Sequence, residues 1–208
     1  MHPTTTLAQW STRLRHAAGD IRVTAAELTE FRDDAGHRRR VDPLLLAHTF
    51  VLPAPSLDPA TFTEEPWLRL WSALLDSTIP ITNQLVGTGP LFPHLHDRAI
   101  EVWTEGELAG LHALWHLAAR NPALAPRARS AAAWLIAELQ PDNATQRPWA
   151  IHAFAQLAAE GDIEADMYAQ TLLLNAIAGR EKPDRFSAAI LLNAANYLSA
   201  LPAPPAMT

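Results

Sequence analysis

Beyond about residue 94 the chain repeats its apolar residues almost entirely with the period of an α-helix, and the interruptions are too short for it to travel far between helices. The spacing predicts helices over about 94–103, 105–119, 124–139, 147–160, 163–179 and 184–200. Between them stand Arg120-Asn121-Pro122, Glu160-Gly161-Asp162 and the run from Gly179 to Pro183, residue types that end or cap helices. A connection this short folds the next helix back along the last, so sequential helices are expected to pack antiparallel. Their starts give hairpins of about forty residues, the period of helix-pair arrays, although no repeated consensus accompanies the spacing. The expected fold is therefore all-α, an array of antiparallel helix pairs of the HEAT-like or partial α/α-toroid solenoid kind. The nearest strand candidate, Ile79 to Val86, contains Pro80 and is bounded by Gly87 and Gly89.

The first half is less regular. Helices are predicted near 5–18, near 25–35 behind the capping box formed by Thr24 and Glu27, and through 43–48. A further helix over 63–78 carries Trp67, Leu70, Trp71, Leu74 and Leu75 as one apolar stripe. Thr104 and Glu107 form a second capping-box pattern. Prolines 53, 55, 59, 66, 80, 90 and 93 interrupt the middle. One helical domain over 1–208 is expected, subdivided into N-terminal helices (1–62), a proline-rich connection (63–93), regular hairpins (94–201) and a flexible tail (202–208).

Composition bounds the function. There is no cysteine, which removes disulfides, thiolate metal sites and thiol catalysis together and suits a reducing compartment. The first residues lack a basic start and an apolar run, and no window approaches the length of a membrane span, so a cytoplasmic protein without membrane contact is expected. A net charge of −6 argues against nucleic acid as a partner. The basic run His37-Arg38-Arg39-Arg40 is flanked and neutralised by Asp33, Asp34 and Asp42. Glu64, Glu65, Glu101, Glu105 and Glu107 read as acids at helix starts. No glycine-rich phosphate loop, nucleophile elbow or Ser/His/Asp signature is present, and Asn143-Ala144-Thr145 matches a glycosylation sequon without meaning in the cytoplasm.

Two constellations remain. His112 and His116 stand at i and i+4 downstream of His94 and His96, a spacing that lets two imidazoles share a metal ion. The Glu of metalloprotease helices is missing, both residues lie at the edge of an apolar stripe, and no metal or other cofactor is expected. The second is polar. Pro148 opens a predicted helix after the turn holding Asp142 and Asn143, so that Trp149 and His152 project from a first turn with Gln156 one turn on. Tyr168, Thr171 and Asn175 share a line on the next helix, and Asn193 and Asn196 share one on the last. Buried asparagine needs a partner, so these residues either bond between helices or form the floor of a groove. Asp142, Asn143, Trp149, His152, Gln156, Tyr168, Thr171 and Asn175 are assigned to the groove, and Asn193 to structure.

The run Pro-Asp-Asn-x-Thr-x-x-Pro-Trp-Ala-x-His-x-Phe at 141–154 resembles a segment of uncharacterised bacterial all-helical proteins, over about the last hundred residues. More distantly, a helix pair with a polar, Trp-containing turn is similar to the hairpins of α/α-toroid enzymes, the cyclases, polysaccharide lyases and six-hairpin glycosidases. That likeness implies a cleft near the turn and carries no catalytic residue. The chain has too few helices to close a six-pair ring and no acidic pair at matching helix ends. The leading expectation is a non-catalytic binding or scaffold module that takes a protein partner or a small polar ligand at a groove near 141–156. The alternative is a toroid-like or metal-dependent enzyme acting on a polar substrate such as a saccharide, using His152 with Asp142 or His112 and His116 with a carboxylate. A homodimer through exposed tryptophan faces is the third.

Overall fold

In a computed structural model, residues 5–81, 87–94, 99–139, 141, 147–178 and 182–202 are described. They form nine α-helices and no strand: α1 Leu7–Ala18, α2 Asp42–Phe50, α3 Thr61–Glu64, α4 Trp67–Leu75, α5 Ile100–Arg120, α6 Ala125–Glu138, α7 Ile151–Ala159, α8 Ile163–Ile177 and α9 Arg185–Ala200. The all-α expectation stands, and among the described residues no helix is long and apolar enough to cross a membrane.

Local chemistry sets most boundaries. Thr6 and Gln9 close a capping box on α1, and the Asp162 and Asp184 carboxylates accept from the first-turn amides of α8 and α9. Pro66 divides the helix expected over 63–78 into α3 and α4.

Three further expectations are corrected. The Thr24/Glu27 box forms, with the Thr24 amide donating to Glu27 at 2.8 Å, yet only a 3₁₀ turn over Glu27–Thr29 follows. Phe31 drops into the core, and Asp33 holds the 33–37 turn by accepting from Ala35 and His37. The helices expected over 94–103 and 105–119 are one 21-residue helix, with Thr104 and Glu107 inside it. Glu107 instead accepts the Leu91 and Phe92 amides at 2.7 and 2.5 Å. Pro148 and Trp149 precede α7, whose N-cap is Ala150 at φ +58°.

Packing joins α1 to α9, α7 to α8 and α4 to α5 most extensively, with α2 and α7 also on α9 and α5 on α7. Gly106 and Gly110 let the proline-rich segment lie against α5: a Cβ at either position would stand 2.5 Å from the Trp67 ring or 2.4 Å from that of Phe92. Trp71 crosses the same seam and donates its indole N–H to the Ala109 carbonyl at 2.9 Å. Trp10, Trp71, Trp149, Phe154 and Phe186 are fully buried. Helices α2, α5, α7 and α9 thus each present one face to a common interior.

Candidate functional site

That interior is polar where it should be driest. His48 from α2, His112 and His116 from α5, and His152 from α7 bring four imidazoles together, with ring centroids 4.2 Å apart for His112 and His152, 4.8 Å for His116 and His152, and 4.7 Å for His48 and His116. Trp71 and Trp149 pack on His112, and the Tyr197 ring stands 4.7 and 4.8 Å from His116 and His152. The i, i+4 spacing on α5 is what stacks His112 on His116.

Asn193 is the hub. Its Oδ1 lies 2.8 Å from Nε2 of both His112 and His116, and its Nδ2 lies 3.0 Å from His48 Nδ1 and from Thr49 Oγ1. Protonation follows from one backbone donor. The Ala150 N–H points at His112 Nδ1 at 3.1 Å, so that nitrogen is a lone pair and His112 carries its proton on Nε2. Nε2–H then donates to Asn193 Oδ1, which fixes the amide, places the His116 proton on Nε2 as well, and leaves His48 Nδ1 accepting from Nδ2–H. Reversing the amide would require His112 to accept at both nitrogens, which no neutral tautomer permits.

Burial keeps these rings neutral. It pushes His48 down to about 4 and His112 down to about 3, and it drives His116 and His152 well below the ordinary imidazole value, with neighbouring histidines adding to the effect on the last two. His152 is the anomaly: fully buried, it makes no well-formed hydrogen bond at either ring nitrogen among the described residues and has only a loose contact to the His112 backbone.

A second polar cluster lies beside the first. Arg147, just ahead of Trp149, is 5% exposed and places Nη1 2.7 Å from Asp42, Nη2 3.2 Å from Asp33 and Nε 3.8 Å from Glu105, with its guanidinium 4.1 Å over the Phe186 ring. Arg39 reaches Glu105 at 3.1 Å, and the Trp149 indole N–H donates to Glu105 Oε1 at 3.4 Å. Burial opposes every charge here. For Arg147 burial is the largest single effect, but Asp42, Glu105 and Asp33 together outweigh it and the guanidinium is held above its usual value. For Asp42 and Glu105 burial wins and both carboxyls are raised, as suits two cations facing three acids.

Outside this cluster the surface opens into a cleft of about 580 Å³ between Arg38–Val41, Glu65, Trp67 and the α5 face that includes Val102, Glu105, Gly106 and Ala109. The side chains of Arg39 and Arg40 are 43% and 48% exposed, against 10% for Glu105 and 24% for Glu65. Arg40 pairs with Glu64 at 2.6 Å.

The expected groove residues do not assemble as one surface. Trp149 and His152 are buried, and Gln156 sits at the rim of the histidine cluster, accepting from Trp115 Nε1 at 2.9 Å and from Tyr197 at 3.2 Å. Tyr168 is buried against Phe154, Thr171 bonds back to the Met167 carbonyl, and Asn175 donates to the Pro141 carbonyl at 3.0 Å. Asp142 and Asn143 lie outside the described residues, as do His96 and the sequon. Glu105 and Glu107, expected as helix-start acids, are buried within α5. Sequence reading missed His48 and Arg147, which arrive from distant segments with no local pattern; the acids flanking the basic run, Asp33 and Asp42, were the visible trace of Arg147's partners.

No protein-family model, curated protein or solved structure matches the chain.

Proposed function

We propose that the protein is a non-catalytic helical binding module that takes a small polar ligand bearing a carboxylate or phosphate in the cleft between Arg38–Val41 and α5. The observation that carries this reading is the order of charge across the cleft. The half-exposed guanidinium of Arg39 faces solvent with Glu105 buried behind it, and Arg40 stands beside it with Glu65 more buried and Glu64 more exposed than itself, so a ligand entering over Arg39 meets a cation first. An anion would draw Arg39 from Glu105, and Arg147 and the Trp149 N–H remain to hold that carboxylate. The 147–149 turn thus backs the cleft. The pairs α4/α5 and α7/α8 support an antiparallel-pair architecture, and the α1/α9 contact is one that a simple linear array does not contain.

Calorimetric titration with inorganic phosphate and with succinate tests the proposal. Saturable binding of at least one probe, lost in Arg39→Ala while the fold is kept, is the expected result. Heats that never saturate, or binding unchanged in Arg39→Ala, would refute it. A metal-dependent activity is the second reading, favoured by the convergence of His112, His116 and His152, and it requires an ion that those three can hold.

A further inference from the structure

We propose that His112, His116 and His152 form a binding site for one imidazole-preferring transition-metal dication, with Asn193 orienting two of the three ligands. The site is separate from the cleft and does not depend on it.

Geometry comes first. One ring nitrogen from each residue lies within 4.8 Å of the others. Three points no farther apart than that share a centre at most 4.8/√3, or about 2.8 Å, from each. Zinc–nitrogen bonds are about 2.0–2.1 Å, so each ring must close by about 0.7 Å, a distance within reach of small side-chain torsions. Residues from two helices, α5 and α7, supply the ligands, and α9 supplies the group that orients them.

The second observation is His152. A neutral imidazole with no well-formed hydrogen bond at either nitrogen, and only a loose contact to the His112 backbone, has lost its water in a core of aromatic rings and gained little in return. An ion needs no cavity larger than itself and would use one of those lone pairs. Third, the Nε2–H groups of His112 and His116 already donate to a carbonyl oxygen, the arrangement that fixes tautomer and ring orientation in histidine metal sites and leaves Nδ1 for the ion. His116 offers Nδ1 as a lone pair. His112 Nδ1 receives the Ala150 N–H, and Ala150 is held at φ +58°, a left-handed conformation unfavourable for a residue with a Cβ. An ion at that nitrogen must displace the amide, a cost set against the new metal–nitrogen bond.

The donor set selects the ion. Three neutral nitrogens without carboxylate or thiolate suit Zn²⁺, Co²⁺, Ni²⁺ or Cu²⁺ and not Mg²⁺ or Ca²⁺, which require oxygen. The positive charge of Arg120 opposes imidazolium at His116 and would oppose a cation as well, so strong metal–nitrogen bonds must supply the affinity. Entry runs past Tyr197. Its ring covers His116 and His152, its hydroxyl bonds Gln156, and both residues line a surface hollow of about 210 Å³ with Trp115 and Arg129.

The test uses untagged, full-length protein, stripped with chelator and titrated with Co²⁺ and then Zn²⁺. One Co²⁺ per chain with the intense visible bands of a low-coordinate site, displaced by Zn²⁺, is expected, together with a melting midpoint that rises with Zn²⁺ and a shift of the Ala150 amide resonance. His152→Leu removes no well-formed hydrogen bond, only the loose contact to the His112 backbone. It should melt no lower than wild type without metal and bind at least 100-fold more weakly. Absence of stoichiometric binding to the wild type overturns the proposal. Binding that survives His152→Leu does so too, because it assigns the ion to exposed histidines such as His16 and His37.

Discussion

Replacing Asn193 by alanine removes one amide and deprives four groups at once. Asn193 is 3% exposed, and its Oδ1 is the acceptor for two imidazole N–H groups at 2.8 Å. Each donor stranded in a dry interior costs about 1–3 kcal/mol, and the two histidines together give roughly 4 kcal/mol. His48 and Thr49, half-buried at the margin, can turn to water and add little. For a domain of this size each kcal/mol lowers the midpoint by about 2–4 °C, so Asn193→Ala should melt roughly 10 °C below wild type. Asn175→Ala is the control. That side chain is half-buried and makes one bond, to the Pro141 carbonyl, whose loss should cost about 1 kcal/mol. Urea unfolding and thermal melts on chelator-treated protein measure both. If Asn193→Ala falls within 1 kcal/mol of wild type, or Asn175→Ala costs as much as Asn193→Ala, the hub and its tautomer assignment are refuted.

Further expectations follow from the same geometry. Trp149→Ala should destabilise by about 3–5 kcal/mol in urea unfolding, because the indole is fully buried against Trp71, His112 and Phe186. Arg147→Met leaves Asp33, Asp42 and Glu105 without their central cation and should cost about 3–5 kcal/mol at neutral pH. Gly106→Ala forces a methyl to 2.5 Å from the Trp67 ring and should lower stability by about 1–3 kcal/mol in melts. Burial raises the Glu107 carboxyl to about 7, against the two amides that favour its ionised form. The folded state then holds that proton between pH 4.5 and 7, so its contribution to stability is full below 4.5 and lost as pH rises through 7. Urea titrations across that window should show the loss in wild type and not in Glu107→Gln.

How much of this was legible depends on whether the determining interaction was local. The helices of the second half were read from period and punctuation, since Asp162, Asp184 and the turn at Asn121 act on neighbours two or three residues away. The 25–35 segment misled because a capping box satisfies a helix start without supplying a buried face to extend it, and here Phe31 and Asp33 serve other partners. The break expected at Thr104 failed for a related reason: Glu107 has the right spacing for a cap, but its carboxylate is taken by two amides some fifteen residues upstream. The histidine cluster was half visible. The i, i+4 pair on α5 is a sequence pattern, whereas His48, His152 and Asn193 join it only through the packing of α2, α7 and α9. Of the polar residues on the last three helices, Asn193 and Asn175 bond to other segments, Thr171 bonds within its own helix and Asn196 is exposed, and sequence offers no way to tell a groove from a bonded interior.

The central claim, that the cleft in front of Glu105 is where this protein binds, is tested most directly by mapping amide NMR shifts while inorganic phosphate is added at constant ionic strength. Saturable shifts are expected at Arg38–Val41 and across Glu105–Ala109, with the Trp149 indole N–H moving as Glu105 is released from Arg39. Shifts confined to other faces of the molecule, or no saturable shift at these residues, would contradict it.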